Sequence, residues 1–384
     1  MVQDMTAEEL VALVTRVFRP VPGERGLAIL VDLPDAQVPD TPAWRERRDM
    51  AAAWAAMLAG RREELGFDTH LALYPNVHTN NGDLPAQAWL QGDGPLPQRA
   101  EDLDPAAALP FPDLYAGHSI LIALTTFSAT APLKMAARQF PIRAATMPGF
   151  SRAMVPSLRL DYGEVNRRVQ LLKDLLDRAE GADLRFTHPG GAANLHLDLR
   201  HRTGHASGGL IPDLGTAGNL PSGEAYIVPY EGERPQDPSR TAGLLPVQFG
   251  DEVVCYAIEG NVARCVLPGG PEAAREAALL AAEPAYGNLA ELGLGVLAAF
   301  GVKPVGVVLL DEKLGLHIAF GRSEHFGGQV GPSAFSRPEA VVHIDRVYVP
   351  ETQPRVQVDS VTLRLEDGTA LPLMRAGDYA PGLF

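Results

Sequence analysis

The sequence predicts an α/β N-terminal domain with a mostly parallel sheet, followed by an α+β domain. Two observations lead to this prediction. Up to about residue 180, continuous apolar strand patterns alternate with helical patterns, which is typical of parallel strands covered by helices. Beyond residue 180, short strand patterns and Gly/Pro turns dominate, and they favour antiparallel pairing.

The first domain, residues 1–180, carries clear helix signals. Thr6 and Glu9 form a capping-box pattern ahead of apolar residues at helical spacing. Thr41-Pro42 opens a long helix, with proline at its first position, and Gly60 is the expected stop. The remaining elements expected here are strands at 27–33, 69–74, 119–125 and 142–147 and a helix at 161–179.

The second domain, residues 181–384, is predicted to consist chiefly of short strands. The expected strands lie at 184–187, 195–199, 225–228, 253–258 and 263–267. A helical stretch from about residue 271 to residue 300 interrupts them before strands resume. No linker separates the two domains, so the boundary at 180 rests on the change of pattern alone.

Composition and charge exclude several classes of function. A chain of 384 residues can form a large core and two domains. The formal net charge of −14 argues against nucleic-acid or anionic-membrane partners, which require basic surfaces. The N-terminus lacks a basic segment followed by an apolar run, and no stretch has the length of a transmembrane helix. We therefore expect a soluble cytoplasmic protein.

The triplet His343-Ile344-Asp345 is the most informative local pattern. It lies in a segment, residues 340–349, that has the character of a strand. Side chains at positions i and i+2 of a strand leave the same face of the sheet. One imidazole and one carboxylate are therefore expected to reach a common metal ion.

Four more potential ligands precede this triplet. Glu224 follows a turn that leads into a strand, and Glu291 stands among glycines in Ala-Glu-Leu-Gly-Leu-Gly. Glu312 and His317 flank a turn at the start of another strand. Divalent metals at hydrolytic sites bind carboxylate oxygen and imidazole nitrogen. From spacing alone, however, each glutamate is more often a solvated surface residue, and each histidine is more often a hydrogen-bonded residue of the core or of a sheet edge.

Four motifs in order give the set its specificity. They are Asn-Leu-Pro-Ser-Gly-Glu (219–224), Ala-Glu-Leu-Gly-Leu-Gly (290–295), Asp-Glu-Lys-Leu-Gly-Leu-His-Ile-Ala-Phe-Gly (311–321) and His-Ile-Asp (343–345). Together they resemble the thermophilic-type metallo-aminopeptidases, the group of aminopeptidase T and aminopeptidase S. The resemblance covers roughly residues 180–350, and the N-terminal half is similar only in its general α/β pattern.

The resemblance implies an α+β metal-binding catalytic domain that holds two divalent ions, Zn, Co or Mn. The implied ligands are Glu224, Glu291, Glu312, His317, His343 and Asp345, with Glu291 as a bridge between the ions. The implied function is a metal-dependent, aminopeptidase-like hydrolase that removes N-terminal residues from peptides, or acts on a related small molecule, through a metal-activated water. Glu224 is the candidate for accepting and returning the proton. A homodimer is also implied.

One position departs from the family pattern. The family carries a tyrosine seven residues after the histidine that matches His317, and Glu324 stands there in this chain. That change removes a phenol available for ligation or for stabilising the tetrahedral intermediate. Glu324 and His325 are therefore the candidate catalytic replacements.

Two other hypotheses stay open at this point. The dihydroxypyridine ring-cleaving dioxygenases resemble the same scaffold and use one Fe(II). That group places a histidine near the position of Glu291, so the glutamate here favours two ions. The third hypothesis is a binding protein that has kept the fold and lost turnover, which Glu324 in place of tyrosine would fit.

Overall fold

The computed structural model describes residues 4–384, and the elements are numbered within that range. The helices are α1 Ala7–Phe18, α2 Pro42–Ala59, α3 Arg62–Leu65, α4 Phe111–Gly117, α5 Thr130–Gln139, α6 Val155–Leu158, α7 Tyr162–Asp177, α8 Pro271–Ala282 and α9 Val308–Asp311. The first ten strands are β1 Leu27–Leu33, β2 Thr69–Pro75, β3 Gln87–Leu90, β4 Leu109–Pro110, β5 Ile120–Ala123, β6 Arg143–Thr146, β7 Ala179–His188, β8 Gly191–Asp198, β9 His205–Ser207 and β10 Thr216–Asn219. The second ten are β11 Glu224–Ile227, β12 Ala242–Phe249, β13 Glu252–Glu259, β14 Val262–Val266, β15 Leu289–Gly295, β16 Leu316–Gly321, β17 His343–Val347, β18 Gln357–Leu365, β19 Ala370–Arg375 and β20 Asp378–Tyr379.

A seven-stranded sheet organises the first part of the chain, in the order β10-β6-β5-β1-β2-β3-β4. The pairs from β10 to β2 are parallel, and β3 and β4 add antiparallel strands at one edge. All seven residues of β1 are buried, as a strand covered on both faces requires. The predicted α/β domain with a mostly parallel sheet is confirmed.

The predicted helix caps are present in this part of the chain. The Thr6 hydroxyl accepts a hydrogen bond from the Glu9 amide at 3.2 Å, and the Glu9 carboxylate accepts one from the Thr6 amide at 2.9 Å. This reciprocal pair satisfies two amides that α1 leaves without helical partners. At α2 the Thr41 hydroxyl accepts from the amide of Trp44 at 3.1 Å, and the helix ends at Gly60.

Two antiparallel sheets make up the rest of the fold. The larger has eight strands, in the order β14-β13-β12-β8-β7-β18-β19-β20. The smaller has five strands, in the order β17-β16-β15-β11-β9, and all its pairs are antiparallel. Because helices are few in this part and the strands pair antiparallel, the predicted α+β class is confirmed.

The chain divides into two compact units. One contains the chain up to Glu164 together with Gly209–Ser222, and the other contains Val165–Gly208 and Gly223–Phe384. The predicted single boundary at residue 180 differs from this division in two ways. Most of α7 belongs with the second unit, and the segment that carries β10 returns to the parallel sheet of the first.

The helix predicted for residues 271–300 is wrong in its second half. The helix α8 ends at Ala282, and residues 289–295 form the buried strand β15. The glycines at 293 and 295 do not interrupt a helix. They are positions where neighbouring side chains and backbone approach β15 too closely for any Cβ.

Within residues 4–384, no helix is both long enough and apolar enough to cross a membrane.

Candidate metal centre

The site is built on one face of the five-stranded sheet. Residues paired across neighbouring strands share a face, as do residues two apart along a strand. The register pairs Tyr226 with Gly293 and Gly293 with His317, and it pairs Ala319 with Asp345. The same face therefore carries Glu224, Tyr226, Glu291, His317, His343 and Asp345.

Glu291 lies between the two histidines. Its Oε1 is 3.2 Å from Nε2 of His317, and its Oε2 is 3.4 Å from Nε2 of His343. The side chain is buried, so water does not compete for either oxygen. One carboxylate that presents a separate oxygen to each imidazole has the geometry of a bridging ligand.

Both histidines are oriented by their other ring nitrogen. Nδ1 of His317 lies 3.3 Å from the carbonyl oxygen of Gly315, and Nδ1 of His343 lies 2.8 Å from that of Arg322. A backbone carbonyl can only accept, so each Nδ1 carries the proton. Each Nε2 is thereby directed at the carboxylates. Such second contacts are what metal-binding histidines usually make.

Two groups of three side chains could each hold an ion. In the first, donor atoms of Glu224, Glu291 and His317 all lie within 4.8 Å of one another, and in the second those of Glu291, His343 and Asp345 do so. Glu291 belongs to both groups. Five of the six ligands predicted from the sequence therefore meet here, including the pair from His343-Ile344-Asp345, whose Nε2 and Oδ1 are 3.6 Å apart.

Glu312, the sixth predicted ligand, reaches the cluster through Lys313. The buried ammonium of Lys313 donates to Oε1 of Glu224 at 2.5 Å and also to Oε1 of Glu312. The second oxygen of Glu224 is buried and accepts no hydrogen bond within residues 4–384, and it lies 3.5 Å from Nε2 of His317. Burying a carboxylate oxygen without a hydrogen-bond donor is costly, and either a cation or a transferred proton would relieve that cost.

The net charge of the cluster also favours a bound cation. Lys313 contributes one positive charge against the four carboxylates of Glu224, Glu291, Glu312 and Asp345, so with neutral imidazoles the formal sum is −3. Burial tends to raise the pKa of Glu312, which reaches about 8 even though Lys313 lowers it. Two divalent ions would reverse this excess of negative charge, so the donor set fits them.

The histidines respond to the same field. Burial lowers the pKa of His317. The hydrogen bond to Glu291 and the charge of Glu224 raise it by more than burial lowers it, so the pKa is about 9. The pKa of His343 is likewise raised by Asp345 and Glu291 against the effect of burial. Without a metal, the raised pKa values favour protonated, positively charged imidazoles beside the carboxylates.

Glu324 and His325, the candidate catalytic replacements, lie apart from the two ligand groups. The Glu324 carboxylate is held by the Arg322 guanidinium through two hydrogen bonds of 2.6 Å each. The His325 ring packs 3.9 Å from the Phe326 ring and 5.4 Å from the His343 ring. Glu324 is thus paired with a cation, and His325 borders the site.

Three residues shape the site although the sequence analysis gives them no role in it. Lys313 falls in a predicted turn, although its place beside Glu312 is a usable signal. Gly293 lets the His317 ring lie over β15, because a Cβ there would be 1.8 Å from Nε2 of His317. Tyr226 belongs to none of the four motifs, although it stands two residues after Glu224 on the same strand.

Comparisons with known proteins identify structures with the same fold. No family model and no curated protein matches this sequence. Among solved structures, 2,5-dihydroxypyridine dioxygenase from Pseudomonas putida KT2440 has a TM-score of 0.60 at 16% identity, covering 98% of this chain and 98% of its own. Wild-type AmpT from Thermus thermophilus has a TM-score of 0.53 at 18% identity, covering 97% of this chain and 98% of its own. The fold is therefore shared over almost the whole chain, and the reaction has to be argued from the side chains.

Proposed function

We propose that this protein is a metal-dependent, aminopeptidase-like hydrolase that removes N-terminal residues from peptides with two divalent ions. The observation that carries the proposal is the placement of Glu291, whose two oxygens face two histidines in two separate ligand groups. A mononuclear Fe(II) centre of the dioxygenase type needs few protein ligands and open positions. Two ligand groups that share one carboxylate suit two ions better.

Divalent ions bound here would lower the pKa of a bound water and polarise the scissile carbonyl. The residues of the chain then have separate tasks. Lys313 fixes one oxygen of Glu224, which leaves the other, Oε2, without a hydrogen bond. That free oxygen can accept the proton of the attacking water and return it to the leaving amine.

A centre of two divalent ions would also suit a substrate with a free amine. The α-amino group of a peptide has a pKa of about 7.7–8.0, so a fraction of it is unprotonated near neutral pH. Its nitrogen lone pair could then bind an ion, whereas the nitrogen of a blocked N-terminus shares its lone pair with the amide carbonyl and is a poor donor. This preference distinguishes an aminopeptidase from a general peptidase.

Release of amino acids from aminoacyl reporter amides tests the proposal. The protein, supplied with Zn, Co or Mn, should cleave reporters with a free amine and leave N-acetylated ones intact. Glu291→Ala should abolish cleavage, and Glu366→Ala, which alters an exposed glutamate, should not. Activity that persists in Glu291→Ala would contradict the proposal, as would oxygen consumption on a hydroxylated aromatic with Fe(II) in place of hydrolysis.

A further inference from the structure

Tyr226 stands in the same row of the sheet as the ligands. The register places it opposite Gly293, and Gly293 is opposite His317. Gly293 has no side chain, and the His317 ring leans over it, towards β11. Tyr226 and His317 therefore flank Gly293 in one row on the same face of the sheet. Glu224, two residues earlier on the same strand, points from the same face.

Neighbouring rings fix the orientation of this tyrosine. The His205 ring stacks on it with centroids 5.0 Å apart and an interplanar angle of 20°. The Phe326 ring meets it edge-on at 4.9 Å, and the same Phe326 ring lies 5.5 Å from His343. Nε2 of His205 lies 2.9 Å from the Phe326 carbonyl oxygen, which ties these two residues together. The Phe326 ring thus lies between Tyr226 and His343, and it connects the phenol to the centre.

The hydroxyl of Tyr226 is the unusual one among the tyrosines of the second unit. Those at 230, 256, 286, 348 and 379 each donate a hydrogen bond. The Tyr226 hydroxyl makes none among residues 4–384. Tyr226 is only half-buried, so this hydroxyl is open to a bound molecule.

Building on the proposed hydrolase function, we propose that Tyr226 is a catalytic residue whose phenol donates a hydrogen bond to the carbonyl oxygen of the scissile bond. Negative charge develops on that oxygen when water adds to the carbonyl, and a donor already in place stabilises it. Glu324 cannot serve in this way because its carboxylate accepts from Arg322. The free hydroxyl of Tyr226, on β11, supplies the donor instead.

The test compares Tyr226→Phe with Tyr230→Phe. Both changes remove one hydroxyl, but the Tyr230 hydroxyl donates to the carbonyl oxygen of Asp237. Loss of one such donor costs about 100- to 1,000-fold in turnover in other enzymes. For Tyr226→Phe we expect a fall in kcat of that order with KM changed by less than about threefold. Metal stoichiometry and affinity, measured by titration without substrate, should equal those of the wild type.

A second readout does not depend on turnover. A phosphinic dipeptide analogue, which carries a tetrahedral anion in place of the peptide bond, should bind Tyr226→Phe about 100-fold more weakly than the wild type. An equal kcat and equal analogue affinity in Tyr226→Phe would overturn this assignment while leaving the hydrolase proposal intact. A wild-type protein that binds metal but releases no amino acid would overturn both. Reduced metal binding in Tyr226→Phe would assign the residue to ligation and refute the donor role.

Discussion

Replacing Gly293 by alanine probes how the metal centre is assembled. An ideal Cβ at this position would lie 1.8 Å from Nε2, 2.1 Å from Cε1 and 2.5 Å from Cδ2 of His317. Non-bonded carbon atoms settle at about 3.5–4.0 Å. The ring must therefore move by well over an ångström, although the backbone of Gly293 itself lies outside the left-handed region and accepts alanine.

The expected magnitudes follow from this displacement. Overpacking of a buried site costs about 1–3 kcal/mol, so the metal-free variant should be less stable by that amount. The displaced Nε2 can no longer face Glu291 as it does at 3.2 Å. Disturbing the geometry around a ligand typically lowers metal affinity about 10- to 100-fold. A 100-fold loss corresponds to about 2.7 kcal/mol of metal-dependent stabilisation.

Calorimetric titration with Zn, together with urea unfolding in chelator, measures both effects. Gly92→Ala is the matched control, because a Cβ there meets nothing within 4 Å. The control should bind metal as the wild type does. If Gly293→Ala also bound two ions with wild-type affinity, His317 would not be a ligand held in place by this glycine, and the proposed role of Gly293 would be refuted.

Three further predictions concern other parts of the second unit. Lys313→Met should destabilise the metal-free protein by about 3–5 kcal/mol, since it leaves buried carboxylates without their ammonium; a loss below about 1 kcal/mol in urea unfolding would argue against this. Burial raises the pKa of Asp198, but the hydrogen bonds from Arg200 lower it by a larger amount, so the pKa lies below its ordinary value. The stabilisation from Asp198 is therefore present above about pH 4 and is lost as the pH falls through the lower pKa of the folded state. The loss of unfolding free energy in Asp198→Asn should accordingly be smaller at pH 3 than at pH 6. A loss that is independent of pH would count against this reasoning. Burial raises the pKa of the Cys255 thiol, and Cys265 is exposed, so a disulfide reagent should modify Cys265 first, and equal rates would contradict this.

The parts of the fold that depend on local pattern were predictable. The capping box at Thr6 and the proline-initiated helix after Thr41 form as expected, because local hydrogen bonds decide them. His343 and Asp345 share a face because side chains alternate along any strand. Each of these inferences needed only a few consecutive residues.

What remained hidden depends on contacts distant in sequence. Gly293 falls within the helix predicted from the sequence. The His317 ring, which lies over it and explains the glycine, is 24 positions further along the chain. Lys313 resembles a solvated lysine, since only the fold brings it to Glu224. The return of Gly209–Ser222 to the parallel sheet likewise has no local signal, because β10 pairs with β6, more than 60 residues earlier.

Metal content measured by mass spectrometry after dialysis against Zn tests the central claim most directly. The wild type should retain about two equivalents per chain, as expected for two ions that share Glu291. Glu291→Ala should retain less than one, because both ligand groups lose a member, and Glu366→Ala should retain two. A wild type that retains no metal, or a Glu291→Ala variant that keeps both equivalents, would contradict the account.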